Sequence, residues 1–233
     1  MVDAAVHPPT ALVFDVDGTL YRQGTLRRAM LTHLLRSHLA HPVRGWRTMQ
    51  VLRAYRHAQE HLRTEPPTGD IGAAQIARTC ERTGVDRDTV MQDVSRWMEQ
   101  EPLQFLPQCL QPGLVEFLHI ARQRKVRLAV VSDYPAEAKL EALGLAGVFE
   151  VVLSAQTPIV NAFKPDPRGL LVALEQLGAT RAESLYVGDR VDVDAAMAEA
   201  AGVRCAIVTN RASPGGSHMQ VADFSQLRQL LWP

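Results

Sequence analysis

Leu12-Val13-Phe14-Asp15-Val16-Asp17-Gly18-Thr19-Leu20 is a short apolar run that ends in two carboxylates spaced two residues apart, followed by a glycine turn. The apolar part reads as a buried strand. Alternation along a strand puts Asp15 and Asp17 on one face, and a strand end opening at Gly18 lets both converge on one ligand. A carboxylate can attack phosphorus while a second one nearby exchanges a proton with the leaving oxygen. Taken alone, the stretch is equally well read as a turn with solvated acids. The rest of the chain decides between these.

Working outward, strand and helix patterns alternate from Gln111 onward. Arg127–Val131, Val151–Leu153, Leu185–Val187 and Cys205–Val208 read as strands, each separated from the next by a helical stripe that ends at a glycine such as Gly144, Gly178 or Gly202. The last helix is expected over Phe224–Leu231. This alternation implies an α/β fold, a doubly wound parallel sheet covered by helices on both faces. In such sheets ligands bind beyond the carboxyl ends of the strands. Asp15, Ser132 and Asp189 each fall at such an end. Ala212–Ser217 reads as a loop.

Between Tyr21 and Pro107 the pattern is helical throughout. Leu26, Met30, Leu31, Leu34 and Leu35 keep helical spacing, as do Trp46, Met49, Leu52 and Tyr55, and further stripes cover Ile71–Cys80 and Val90–Met98 with Asp86 as N-cap. The expected organisation is a core domain of residues 1–21 and 108–233 and an all-helical cap domain of residues 22–107.

The chain has 233 residues, 46% of them apolar, and a formal net charge of zero, so composition gives no general signal for nucleic acid or membrane. Cys80, Cys109 and Cys205 show no metal or redox spacing and suit reduced thiols in a cytoplasmic protein. No secretory leader is read in residues 1–10, and no run of 18 apolar residues occurs.

Four segments stand in order: Asp15-x-Asp17-Gly18-Thr19, Ser132 after the second strand, Lys164-Pro165-Asp166, and Gly188-Asp189-x-x-Asp192-x-Asp194. This set resembles the haloacid dehalogenase-like hydrolase superfamily, in its phosphatase branch with a helical cap inserted after the first motif. The resemblance implies a Rossmann-like core and hydrolysis of a small phosphomonoester through an aspartyl-phosphate on Asp15. Asp17 is expected as general acid and then base, Ser132 as a phosphoryl contact, and Lys164 as the screen of charge on Asp15 and phosphate. A magnesium ion is expected on Asp15, the backbone carbonyl of Asp17, and Asp189, with Asp194 or Asp192 orienting its surroundings. Gly18, Thr19 and Asp133 are expected to contact substrate.

The chemistry asks for these types independently. Attack of one anion on another needs cationic screening, and a carboxylate-rich site suits hard magnesium. In this superfamily dehalogenases are not expected to carry an acid at position 17. A phosphoryl mutase, or a non-catalytic protein binding through a basic cap, remain the alternatives.

Charge in the insertion is uneven. Arg22–Arg63 holds nine arginines and five histidines against one acid, Glu60, whereas Thr64–Glu101 holds four arginines against eight acids. Either the two halves pair with each other, or the arginines, with Arg22 and Arg27 nearest the catalytic loop, roof the site and hold a second anionic group of the substrate. The histidines match no compact metal-ligand set.

Overall fold

The computed structural model describes residues 8–209 and 218–233; the Ala212–Ser217 loop lies outside them. Six parallel strands form one sheet in the order β3-β2-β1-β4-β5-β6. They are β1 (Ala11–Phe14), β2 (Arg127–Ser132), β3 (Val151–Ser154), β4 (Ser184–Gly188), β5 (Arg204–Val208) and β6 (Met219–Val221). β1 lies inside the sheet, with Phe14 in register with Val130 on one side and Val187 on the other. It is buried along its whole length, as an apolar run without alternation requires. β6 was not legible in the sequence, because three residues at a sheet edge are too few to show a period.

Alternate residues of β1 serve opposite layers. Leu12 and Phe14 face the layer that contains Phe117 and Phe224, while Ala11 and Val13 face Leu170, Leu174 and Met197. The insertion lies between β1 and the next core helix. It consists of α1 (Gln23–Ser37), α2 (Pro42–Thr64), α3 (Ile71–Thr83) and α4 (Arg87–Val94), then a π-helical turn (Ser95–Gln100) and a 3-10 segment (Glu101–Cys109). No strand occurs within it. The core helices are α5 (Leu114–Gln123), α6 (Glu137–Ala142), α7 (Arg168–Leu177), α8 (Ala196–Ala201) and α9 (Phe224–Leu231). No described helix is long and apolar enough to cross a membrane.

Asp86 caps α4 by accepting from the Thr89 N–H at 2.9 Å, and Asp70 caps α3 in the same way. The chain leaves and rejoins the core at one place: the Arg22 N–H donates to the Cys109 carbonyl at 2.7 Å and the Gln111 N–H to that of Leu20 at 3.1 Å. The apolar stripes of α1 and α2 do not form a closed core, since Leu31, Leu35 and Trp46 are exposed and Met30, Met49 and Leu52 are half-buried.

Phe14 touches the rings of Phe117, Phe149 and Phe224 at centroid distances of 5.8–6.3 Å. Phe14→Ala is expected to cost about 3–5 kcal/mol, the usual range for an aromatic ring removed from a closed core. Urea unfolding at constant m-value measures it; a loss under about 1 kcal/mol would show that this layer collapses around the gap.

Candidate active site

Strand ends bring the motifs together. Asp15 directly follows β1, with its N–H bonded to the Val187 carbonyl of β4, and its side chain is buried. One carboxylate oxygen accepts from Lys164 Nζ at 2.5 Å, the other from Thr19 Oγ1 at 2.9 Å. Lys164, itself buried, also donates to Asp194 Oδ1 at 2.8 Å and to the Tyr186 hydroxyl at 3.0 Å. Tyr186 donates in turn to Asp194 at 2.9 Å, and the second oxygen of Asp194 accepts from the N–H groups of Asp189 and Arg190. Burial opposes the charge on Lys164, but Asp15 and Asp194 outweigh it and keep the group an ammonium.

The backbone is shaped to this cluster. Gly18 has φ +109°, and a Cβ there would lie 2.1 Å from Asp189 Oδ2. A Cβ on Gly188 would lie 2.4 Å from that of Asp194. Neither position admits a side chain without moving a carboxylate.

Asp17 is held by groups that sequence reasoning missed. Lys139 Nζ donates to its two oxygens at 2.6 and 2.9 Å, and the Tyr21 hydroxyl donates at 2.5 Å. Burial pushes the Asp17 carboxyl up, yet the Lys139 charge and these hydrogen bonds prevail and hold it below the usual carboxylate range. Lys139 sits on the short α6 after the second motif and is buried; a lysine amid alanines and glutamates on a helix gives no such signal in sequence.

The other expected residues divide. Ser132 ends β2 in a buried position, its Oγ accepting from the Tyr134 N–H at 3.4 Å. Asp133 reaches the cavity but is paired with Arg63 of α2 at 2.6 Å, a partner that the sequence did not suggest. Asp192 is exposed and paired with Arg190, which assigns the buried position to Asp194. Arg27 lines the cavity; Arg22 does not. Instead Arg53, Arg56 and Arg63 join Arg27 on the wall. Among the described residues, Arg63 is the one arginine of Arg22–Arg63 in a direct ion pair, and its partners are Glu60 and Asp133, not acids of Thr64–Glu101.

A family model described as haloacid dehalogenase-like hydrolase matches residues 9–202. The chain belongs to that family. A phosphoglycolate phosphatase of Pseudomonas putida is 27% identical over 96% of this chain and 79% of its own length. Among solved structures, the HAD-hydrolase YfnB of Bacillus subtilis, described as bound to magnesium and as revealing interdomain movement, superposes with a TM-score of 0.70 at 18% identity, covering 97% of this chain and 99% of its own. A 2-haloacid dehalogenase of Pseudomonas syringae pv. Tomato gives 0.66 at 24%, covering 95% and 97%. At these identities the two structures show the fold alone.

This hydrolase offers a place for a cation. Carboxylate oxygens of Asp15, Asp189 and Asp194 lie within 4.8 Å of one another. Asp194 has both oxygens occupied, whereas the Asp189 carboxylate has no partner among the described residues. Burial first, then the charge of Asp194, pushes Asp189 up to about 7. Four carboxylates (Asp15, Asp17, Asp189, Asp194) face two ammonium groups here, and a divalent ion with oxygen ligands fits the deficit.

A pH signature follows. With its value raised from 3.8 to about 7, Asp189 contributes stability below pH 4 that is lost as pH rises toward 7. A cation binds the ionised form, so its benefit grows over the same window. Magnesium is therefore expected to raise the melting temperature more at pH 8 than at pH 6, and Asp189→Asn to remove most of that gain. Equal gains at both pH values, or a full gain in the variant, would place the ion elsewhere.

Proposed function

We propose that this hydrolase is a magnesium-dependent phosphatase that transfers the phosphoryl group of a small phosphomonoester to Asp15 and then to water. The observation that carries this reading is the paired set of carboxylates. Asp15 is fixed by Lys164 and Thr19, and Asp17 borders the same cavity with its own cation. Asp15, Asp189 and the backbone at Asp17 are the groups that would hold magnesium, which supplies charge screening for anion–anion contact.

In the first step an Asp15 oxygen bonds to phosphorus as the ester P–O bond breaks, with the electron pair leaving on the alcohol oxygen. Lys164 offsets charge on the attacked group. In the second step water attacks phosphorus, the bond to Asp15 breaks, and Asp17 takes the water proton. Lys139 favours this base role because it keeps Asp17 ionised. The same charge works against Asp17 as an acid, which favours esters whose leaving oxygen needs little protonation. Residues 22–107 serve as the cap. Arg27 and Arg56 share the cavity wall without an ion-pair partner among the described residues, and burial first, then the Arg56 charge, opposes the charge on Arg27. A second anionic group on the substrate would relieve that repulsion.

The dehalogenase reading is weaker: an acid at position 17 with its own lysine is idle in carbon–halogen displacement. Phosphate release from phenyl phosphate with magnesium tests the proposal. Asp15→Asn is expected to abolish it, and Asp17→Asn to slow it by about 100-fold or less, less than for an alkyl phosphate. Lys139→Met is expected to move the acid limb of the kcat profile upward, because Asp17 then protonates at higher pH. No release by the unaltered enzyme, or an unmoved limb, would count against the scheme.

A further inference from the structure

The cavity over Asp15 has a volume of about 530 Å³ and two unlike ends. The catalytic end carries the carboxylates and lysines. The far end, under the cap, is lined by Leu26, Met30 and Leu34 of α1, Met49 and Leu52 of α2, and Trp97. These are the stripes that fail to close on each other; besides the arginines, the one charged side chain that α1 and α2 add to the lining is Glu60, which is paired with Arg63 and Arg190. Met30, Met49 and Leu52 stay half-buried with their apolar atoms turned to this space, while Trp97 is buried beside it.

A volume of this size is that of sites for ligands of roughly 300–1,000 Å³ with mostly apolar walls. A phosphate ester of a two-carbon acid would reach the catalytic end and leave the apolar end facing water. Exposed arginines add little discrimination, since charges in contact with water are screened. Apolar burial adds a fixed increment for every group placed. Methionines line the wall where the shape of an occupant must be accommodated, as their unbranched chains adapt.

We infer that the substrate is a phosphomonoester whose alcohol portion carries a bulky apolar body, aromatic or branched aliphatic, that fills the end of the cavity bounded by α1, α2 and Trp97. This rests on the phosphatase reading above and narrows its substrate class. Arg27 and Arg56 then lie between phosphate and apolar body, where a short polar or anionic linker passes.

The test is a series of 4-alkylphenyl phosphates from phenyl to 4-hexylphenyl, in which the leaving-group basicity stays nearly constant while the apolar body grows. The expected result is a rise in kcat/KM of about fourfold per methylene over the first members, and a value for the longest well above that for phosphoglycolate. Met49→Asp and Leu52→Asp, at half-buried positions, are expected to flatten the slope. Hexylphosphonate is expected to inhibit the unaltered enzyme at least tenfold more tightly than ethylphosphonate, which reads the apolar end without chemistry or mutation. A flat or falling series with phenyl phosphate still hydrolysed, or phosphoglycolate as the better substrate, would overturn the inference and leave the phosphatase reading intact. Failure of every ester, phenyl phosphate included, would remove both.

Discussion

Lys164 joins three strand ends through one buried ammonium. It comes from the loop after β3, binds Asp15 at the end of β1, and binds Asp194 and Tyr186, which belong to β4 and the turn beyond it. Burying an ion is costly unless its partners are close and fully hydrogen-bonded. That condition is met here, since Asp194 takes two backbone N–H groups and a tyrosine hydroxyl in addition. The remainder follows from it. Gly188 is needed because Asp194 packs against it, and Gly18 because Asp189 does. Among the described residues the Asp189 carboxylate has no direct ion pair, only the more distant charges of Lys164 and Arg190, which is the physical basis for expecting a cation beside it.

Asp17 is arranged by a separate device. Its lysine comes from α6 and its tyrosine from the turn that leads into the insertion, so its direct partners differ from those of Asp15, and the Lys164 charge adds to theirs from farther off. Two carboxylates two residues apart are thereby given different surroundings, as the proposed division between attack on phosphorus and proton transfer requires. The helical insertion is tied to the same region. Arg63 pairs with Asp133 and donates to the Lys164 carbonyl, Glu60 pairs with Arg190, and Gln59 accepts from Tyr134. Gln59, Glu60 and Arg63 of α2 thus hold the loops that carry Asp133, Lys164 and Arg190, so the helical insertion is tied to the segment that carries the lysine.

Much of this was legible in the sequence, for reasons that differ by residue. The parallel sheet follows from strand and helix patterns that alternate and from apolar runs too continuous for a one-sided strand. Asp15, Ser132 and Asp189 stand at strand ends where packing gives them no purpose. Asp86 announces its helix by capping chemistry. Lys139, Tyr21 and Tyr186 were not legible because each looks like an ordinary surface or core residue until the fold brings a carboxylate to it. The pairing of Arg63 with Asp133 was hidden for the same reason, as it spans 70 positions. What the stripes on α1 and α2 face was not legible, since periodicity reports an apolar face and not what fills the space beside it.

The central claim is that Asp15 carries the phosphoryl group. Rapid acid quench of Asp17→Asn with labelled phenyl phosphate and magnesium tests it most directly, because loss of the base should slow the second step and let the intermediate accumulate. The account predicts label on a single peptide at Asp15, approaching one per chain and absent from Asp15→Asn. Phosphate release by Asp17→Asn at a measurable rate with no label on the protein, or label on another residue, would contradict it.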